Sequence, residues 1–136
     1  MLIQQRSRNK KHNPLAWTLS VAGHVPSGEG YEEAAHRELK EELGFDINLA
    51  PYEKAIFRSP TETQIITSYI GKFIAGTRVI INNDEIEDYK FVTESELEDL
   101  NIKDKVENIS LNDLRKFFRG KYDEVVNRLN KNETLE

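Results

Sequence analysis

The stretch Gly23-His24-Val25-Pro26-Ser27-Gly28-Glu29-Gly30-Tyr31-Glu32-Glu33-Ala34-Ala35-His36-Arg37-Glu38-Leu39-Lys40-Glu41-Glu42-Leu43-Gly44-Phe45 organises the reading of the whole chain. From 31 to 43 the residues are strong helix formers, and Gly44 stands where a left-handed glycine ends a helix. The pattern predicts a helix over 31–43, entered from a loop that holds three glycines and Pro26. Glu38, Glu41 and Glu42 follow the spacing i, i+3, i+4 and so share one helix face. Like charges at that spacing destabilise an isolated helix by roughly 0.2–0.5 kcal/mol per pair. Four residues beyond them stand Glu42, Phe45 and Asp46, none of them basic. Two readings fit. One is a solvated charged face on a surface helix. The other is a set of carboxylates gathered for a hard divalent ion such as Mg²⁺ or Mn²⁺, which takes oxygen ligands and shares them with substrate phosphates.

Upstream, 2–5 is short and β-compatible, 6–14 is a basic loop, and 17–21 alternates with strand-type residues. Downstream, 55–57, 64–74, 78–81 and 89–92 are strand candidates, separated by Gly76 and by Asn82-Asn83-Asp84. Thr93-Glu94-Ser95-Glu96 is a capping box that opens a short helix, and Ser110-Leu111-Asn112-Asp113 is a second box with an acidic third residue. The helix after Ser110 should stop near Gly120, and a last amphipathic helix should run over 123–129. Leu114, Phe117 and Phe118 read as packing or as a dimer surface. Strands, one helix, more strands and then helices make an α+β pattern rather than a βαβ alternation.

The chain of 136 residues has one domain's length, and no repeat or linker divides it. The expected organisation is one domain over 1–136, with C-terminal helices over about 94–131. Hydrophobic residues at 38% against 32% charged mark a charge-rich globular chain. A net charge of −5 argues against a general nucleic-acid binder. No apolar run is long enough to span a bilayer, and the N-terminus lacks a signal-peptide layout, so no membrane partner is expected. The chain has no cysteine, which excludes a disulfide framework, a thiolate zinc site and a cysteine nucleophile, and fits the cytoplasm.

The wider spacing around the glutamates is specific. Gly23, Glu29, Arg37, Glu38, Leu39, Glu41, Glu42, Gly44 and Phe45 fit Gly-x5-Glu-x7-Arg-Glu-U-x-Glu-Glu-x-Gly-U, with U a bulky apolar residue. At ordinary residue frequencies a chance match is on the order of 10⁻¹⁰ per start position. This pattern, over 23–45, resembles the signature of the Nudix superfamily. The resemblance implies a mixed β-sheet sandwiched between helices, with the box helix packed on the sheet and its glutamates facing a cleft. It implies metal-dependent hydrolysis of a nucleoside diphosphate linked to another moiety, a small-molecule diphosphate substrate, and Mg²⁺ or Mn²⁺. By the same resemblance Glu38, Glu41 and Glu42 are carboxylate ligands, the Gly23 carbonyl adds a ligand, and Arg37 and Glu29 brace loop and helix. Candidates for the general base are Glu38 and the downstream Asp84, Glu85 and Glu87; the other reading of 84–88 is a solvated acidic turn.

Outside the box, Leu2-Ile3-Gln4-Gln5-Arg6-Ser7, Lys10-Lys11, Pro14, Trp17-Thr18, Ser20-Val21-Ala22-Gly23-His24 and Asn83-Asp84-Glu85-Ile86-Glu87-Asp88-Tyr89 look like the isopentenyl-diphosphate isomerase branch of the superfamily. Isomerases of that branch use a cysteine, whose position falls on Ala22, and a later Glu-x-Glu pair, whose position falls within 65–69, where this chain reads Ile-Ile-Thr-Ser-Tyr. Isomerase chemistry is therefore the weaker alternative, beside a non-catalytic nucleotide-binding module. Arg6 and Lys11 match basic residues that hold the diphosphate in the isomerases; the other reading is an exposed basic loop. His24 matches a metal-binding histidine there, but reads better as a loop residue near the cleft. Trp17 reads as core. Relatives carry a strand before the segment matching 2–5, so the resemblance implies a sheet without its usual first N-terminal strand. An exposed edge invites pairing, and another strand or a partner subunit in a homodimer is expected to cover it.

Overall fold

The computed structural model describes residues 1–21, 25–120 and 122–131. Strand β1 (Leu2–Arg6) lies in the middle of a three-stranded sheet, between β2 (Trp17–Thr18) and β5 (Ile86–Phe91). Both pairings are antiparallel, with Gln4 opposite Thr18 on one side and Tyr89 on the other. The opening segment is thus not a bare edge; β2 and β5 carry the edges of this sheet. Among the described residues the one parallel pairing is a bridge from Trp17 to Val106. The register slips between Gln5 and Arg6, a bulge of the kind that re-aims a side chain next to a site.

Strand alternation divides the two faces of β1. Ile3 packs with Trp17, Val92, Leu97, Leu100, Val106, Leu111 and Leu114, which are buried together. This cluster joins the sheet to α2 (Glu94–Lys103) and α3 (Asn108–Gly120). On the opposite face Leu2 packs with Ile86 and with Leu39, Leu43 and Phe45 of and just beyond α1 (Tyr31–Leu43). The sheet is therefore held between α1 on one side and α2 and α3 on the other, an α+β layering. Trp17 is core, with the Lys90 ammonium 4.8 Å from the centre of its ring.

Helix α1 occupies the predicted 31–43. Glu32 and Glu33 lie in its first turn and Lys40 in its last, as the helix dipole favours. Gly44 closes it at φ 73°, donating its N–H to the Lys40 carbonyl. Glycine is required there twice over: the left-handed backbone disfavours a side chain, and a Cβ would stand 2.7 Å from the Ile80 carbonyl oxygen.

That contact explains why 78–81, a strand candidate by composition, forms no strand. The Ile80 N–H donates to the Leu43 carbonyl at 2.9 Å and the Asn82 N–H to the Glu42 carbonyl at 3.0 Å. The last carbonyls of a helix have no partner within it, and this segment supplies donors to two of them. Two other strands are longer or shorter than predicted. β3 (Ala50–Arg58) extends well ahead of 55–57, and β4 (Thr63–Ile70) stops four residues short of 74. Among the described residues they pair only with each other, as a ribbon outside the main sheet, with a register shift between Pro51 and Glu53. Its turn is held by Ser59, which accepts from the N–H groups of Thr61 and Glu62.

The capping box of α2 is complete: Thr93 Oγ1 accepts from the Glu96 N–H at 3.2 Å, and Glu96 Oε1 from the Thr93 N–H at 3.1 Å. Helix α3 begins at Asn108, two residues before the expected cap at Ser110, whose side chain lies outside the described residues. It ends at Gly120 as predicted, and α4 (Tyr122–Asn130) brackets the predicted 123–129. Leu114 and Phe117 are buried within this chain, and the half-buried Phe118 packs against the same core, so these residues serve packing. Arg115 ties α3 to α2 through both oxygens of Glu98. Among the described residues no helix is long and apolar enough to cross a membrane.

Candidate active site

The cleft follows from the alternation of β1. Ile3 faces α2 and α3, so Gln4 and Arg6 face the α1 side, joined there by Thr18 from β2. With Lys10, Glu42, Glu85 and Glu107 they line a cavity of about 120 Å³. Gln4 and Thr18 are buried polar groups at core positions of their strands.

Glu42 reaches the cleft from the last turn of α1. One of its carboxylate oxygens, Oε2, is buried with no hydrogen-bond partner. Burial first, and then the charges of Glu38 and Glu85, push its pKa up to about 7; Lys10 acts in the opposite direction. A carboxylate with one oxygen buried and unpaired, among other carboxylates, is costly to ionise. Glu85 is brought to it by the Asn82 turn. The Asn82 side chain accepts from the Asp84 N–H, and its carbonyl accepts from the N–H groups of Glu85 and Ile86. Because the Asn82 N–H is also bonded to the Glu42 carbonyl, the turn and the end of α1 are held together.

Glu41 lies elsewhere. It is exposed and accepts from Arg37 Nη1 at 3.0 Å. This partner precedes Glu41 by four residues, whereas the residues four beyond the glutamates are not basic. Arg37 is the hub of the box: Nε and Nη2 grip the two oxygens of Glu29 at 2.8 and 2.9 Å, and Nη2 stands 3.5 Å from Glu38. This bidentate grip holds the Glu29 carboxyl below the usual range, since hydrogen bonds from a guanidinium favour its charged form. It also fixes the entry to α1, where Gly30 offers no side-chain cap.

Of the base candidates, Glu85 lines the cleft, Glu87 is drawn off to Arg8, and Asp84 is exposed on the turn. Of the two predicted phosphate-binding residues, Arg6 lines the cleft and donates through Nε to the His12 carbonyl, whereas Lys11 is exposed. Lys10 takes the cleft position instead and pairs with Glu85. Gly23, His24 and Ala22 lie outside the described residues. Sequence reasoning also missed Gln4, Thr18 and Glu107. Two of these carried a signal, polar residues alternating with apolar ones in strands buried on both faces.

As the side chains stand, no group of three or more metal-ligating residues converges among the described residues. The donor set nevertheless suits a hard cation: oxygen donors, among them a carboxylate oxygen buried without a partner.

The NUDIX domain family matches residues 1–112, and the chain belongs to that family. An isopentenyl-diphosphate Delta-isomerase of Photorhabdus laumondii is 39% identical over 97 residues, covering 68% of this chain and 54% of that protein. An uncharacterized Nudix hydrolase of Listeria monocytogenes is 35% identical over 100 residues, covering 74% of this chain and 59% of that one. The chain thus spans between half and two thirds of the length of these relatives. Among solved structures, the DR0079 protein of Deinococcus radiodurans superimposes with a TM-score of 0.67 at 27% identity, covering 85% of this chain and 72% of that one. A MutT protein from Methanosarcina mazei shares the fold, with a TM-score of 0.68 at 22% identity over 91% of this chain and 83% of that one.

Proposed function

We propose that this chain is a Nudix hydrolase that cleaves a diphosphate linkage in a nucleoside diphosphate joined to another moiety, with Mg²⁺ or Mn²⁺ as cofactor. The observation that carries the reading is the buried, partnerless oxygen of Glu42, at a cleft that Glu85 also lines, within a complete Nudix box. Glu42, Glu38 and Glu41 would hold the metal, with the Gly23 carbonyl as a further donor; Glu41 leaves Arg37 to take part. A bound divalent ion supplies charge neutralisation at the diphosphate and a water of lowered pKa. Glu85, half-exposed at the cleft wall, is placed to accept a proton. Arg6 presents a forked donor and Lys10 a point charge to phosphate oxygens. Arg37 does no chemistry here: it keeps α1 and the preceding loop in register through Glu29.

An Ap4A hydrolase of Caenorhabditis elegans, 26% identical with a TM-score of 0.59, covering 85% of this chain and 81% of that one, supports a nucleotide-linked substrate. Isomerase-named relatives favour a second reading, isomerisation of isopentenyl diphosphate. Against it stands a chain without cysteine, with Ala22 at the expected position. The test is release of phosphate or nucleoside monophosphate from a panel of nucleotide-linked diphosphates with Mg²⁺ or Mn²⁺, beside isopentenyl diphosphate. Turnover should collapse in Glu42→Gln and Glu41→Gln variants that remain folded. An unchanged rate refutes the ligand assignment, and tight binding without turnover identifies a binding module.

A further inference from the structure

The cleft already contains a cation of the protein's own. Lys10 forms an ion pair with Glu85, lines the cleft together with Glu42, and is half-buried there. Its backbone is fixed from several sides. The Ser7 N–H donates to the Glu85 carbonyl at 3.1 Å and the Lys10 N–H to the Ser7 carbonyl at 3.1 Å, in a turn that directs the lysine over the cleft. Arg6 exchanges backbone hydrogen bonds with Leu15 and Ala16, which closes the loop at its base. Outside the cleft, Arg8 grips Glu87 and anchors the same loop to the same acidic turn a second time. Arg6, the other basic group of the cleft, is held by the His12 carbonyl. Lys10 is therefore the cation that can leave: its ammonium sits on a flexible four-carbon stem while loop and turn stay joined through Arg8–Glu87 and Ser7–Glu85.

We propose that Lys10 is the internal counter-cation of the cleft carboxylates, paired with Glu85 beside Glu42 and giving way when the divalent ion enters at Glu42. This rests on the metal-binding reading above. Two cations cannot share these oxygens within about 120 Å³ without strong repulsion. Metal entry therefore breaks the Lys10–Glu85 pair, and the measured metal affinity is the intrinsic one reduced by the strength of that pair.

The test uses the full chain, without substrate. Mn²⁺ is titrated calorimetrically into the wild type, Lys10→Met, Glu42→Gln and, as a control for net charge, Lys103→Met on the opposite side of the sheet. Melting temperatures are recorded in EDTA and in Mn²⁺. Lys10→Met should melt lower in EDTA, bind Mn²⁺ roughly tenfold more tightly, and gain more in melting temperature from the ion than the wild type does; Lys103→Met should match the wild type in affinity. Lys10→Gln serves the same comparison if the methionine variant does not fold. Equal or weaker Mn²⁺ binding by the Lys10 variants, beside Glu42-dependent binding by the wild type, overturns the counter-cation and leaves the metal site standing. No Mn²⁺ uptake by any of these chains removes both.

Discussion

Replacing Glu42 with glutamine should make the metal-free protein more stable at pH 8 than the wild type, relative to pH 5. In the unfolded chain this carboxyl titrates near 4.5, and in the folded protein near 7, because burial and neighbouring carboxylates disfavour its charge. A group whose pKa is raised on folding contributes its full stability below the unfolded value and loses it as pH rises through the folded one. The window is thus about pH 4.5 to 7, with the charged form carried as a cost above it. That difference corresponds to at most ~3.4 kcal/mol at 1.36 kcal/mol per pKa unit. Because Glu42 is only half-buried, solvent screening brings this to roughly 1–2 kcal/mol. Glutamine keeps the shape and removes the charge. Urea unfolding in EDTA at half-unit intervals from pH 5 to 8 isolates the effect as the pH dependence of the difference between variant and wild type. The difference should grow in the variant's favour up to pH 7 and then level off. A flat difference, or one that grows in the wild type's favour, refutes the claim that folding disfavours the charged form of Glu42.

Gly44→Ala should cost at least ~1 kcal/mol of stability for the left-handed backbone, and more if the Ile80 carbonyl cannot retreat from the new Cβ; chemical denaturation reads it directly. Thr93→Ala should cost about 1 kcal/mol by removing the cap of α2, seen as a lower urea midpoint with unchanged slope. Ile3→Ala should cost about 2–5 kcal/mol, because Ile3 is fully buried at the centre of the cluster joining the sheet to α2 and α3. A loss under 1 kcal/mol there would show that this side of the core collapses around the gap.

The parts of the fold that were legible in the sequence are those set by local chemistry. Helix formers closed by Gly44 gave α1 its limits, and Thr93 with Glu96 gave α2 its start. What escaped was decided by partners distant in sequence. The 78–81 segment has strand composition, but its donors go to the carbonyls of Glu42 and Leu43, a choice made only once α1 is docked. The ribbon of β3 and β4 extends through Ala50 and Pro51 because pairing overrides weak β-propensity. In the cleft, the box spacing identified the glutamates but not their separate environments. Only tertiary contacts distinguish Glu42, with one oxygen buried and unpaired, from Glu41, held outside by Arg37. The basic loop showed the same limit: Lys10 and Lys11 are adjacent and chemically equal, and the Ser7–Lys10 turn decides which of them meets Glu85.

The two hydrogen bonds from Ile80 and Asn82 to the end of α1 also divide the chain between β4 and β5 into two kinds of territory. Upstream of Ile80 the connection passes through Gly76, where an added Cβ would meet nothing, and Ile74, which is exposed. Residues inserted at Gly76, between the packed side chains of Phe73 and Val79, lengthen a surface turn whose far end is already fastened, so the cleft does not feel them. Between Ile80 and Glu85 the spacing is a ruler: one added or deleted residue changes which side chain the Asn82 turn delivers beside Glu42. Length variation among natural or designed variants should therefore accumulate before the fastening and be excluded after it.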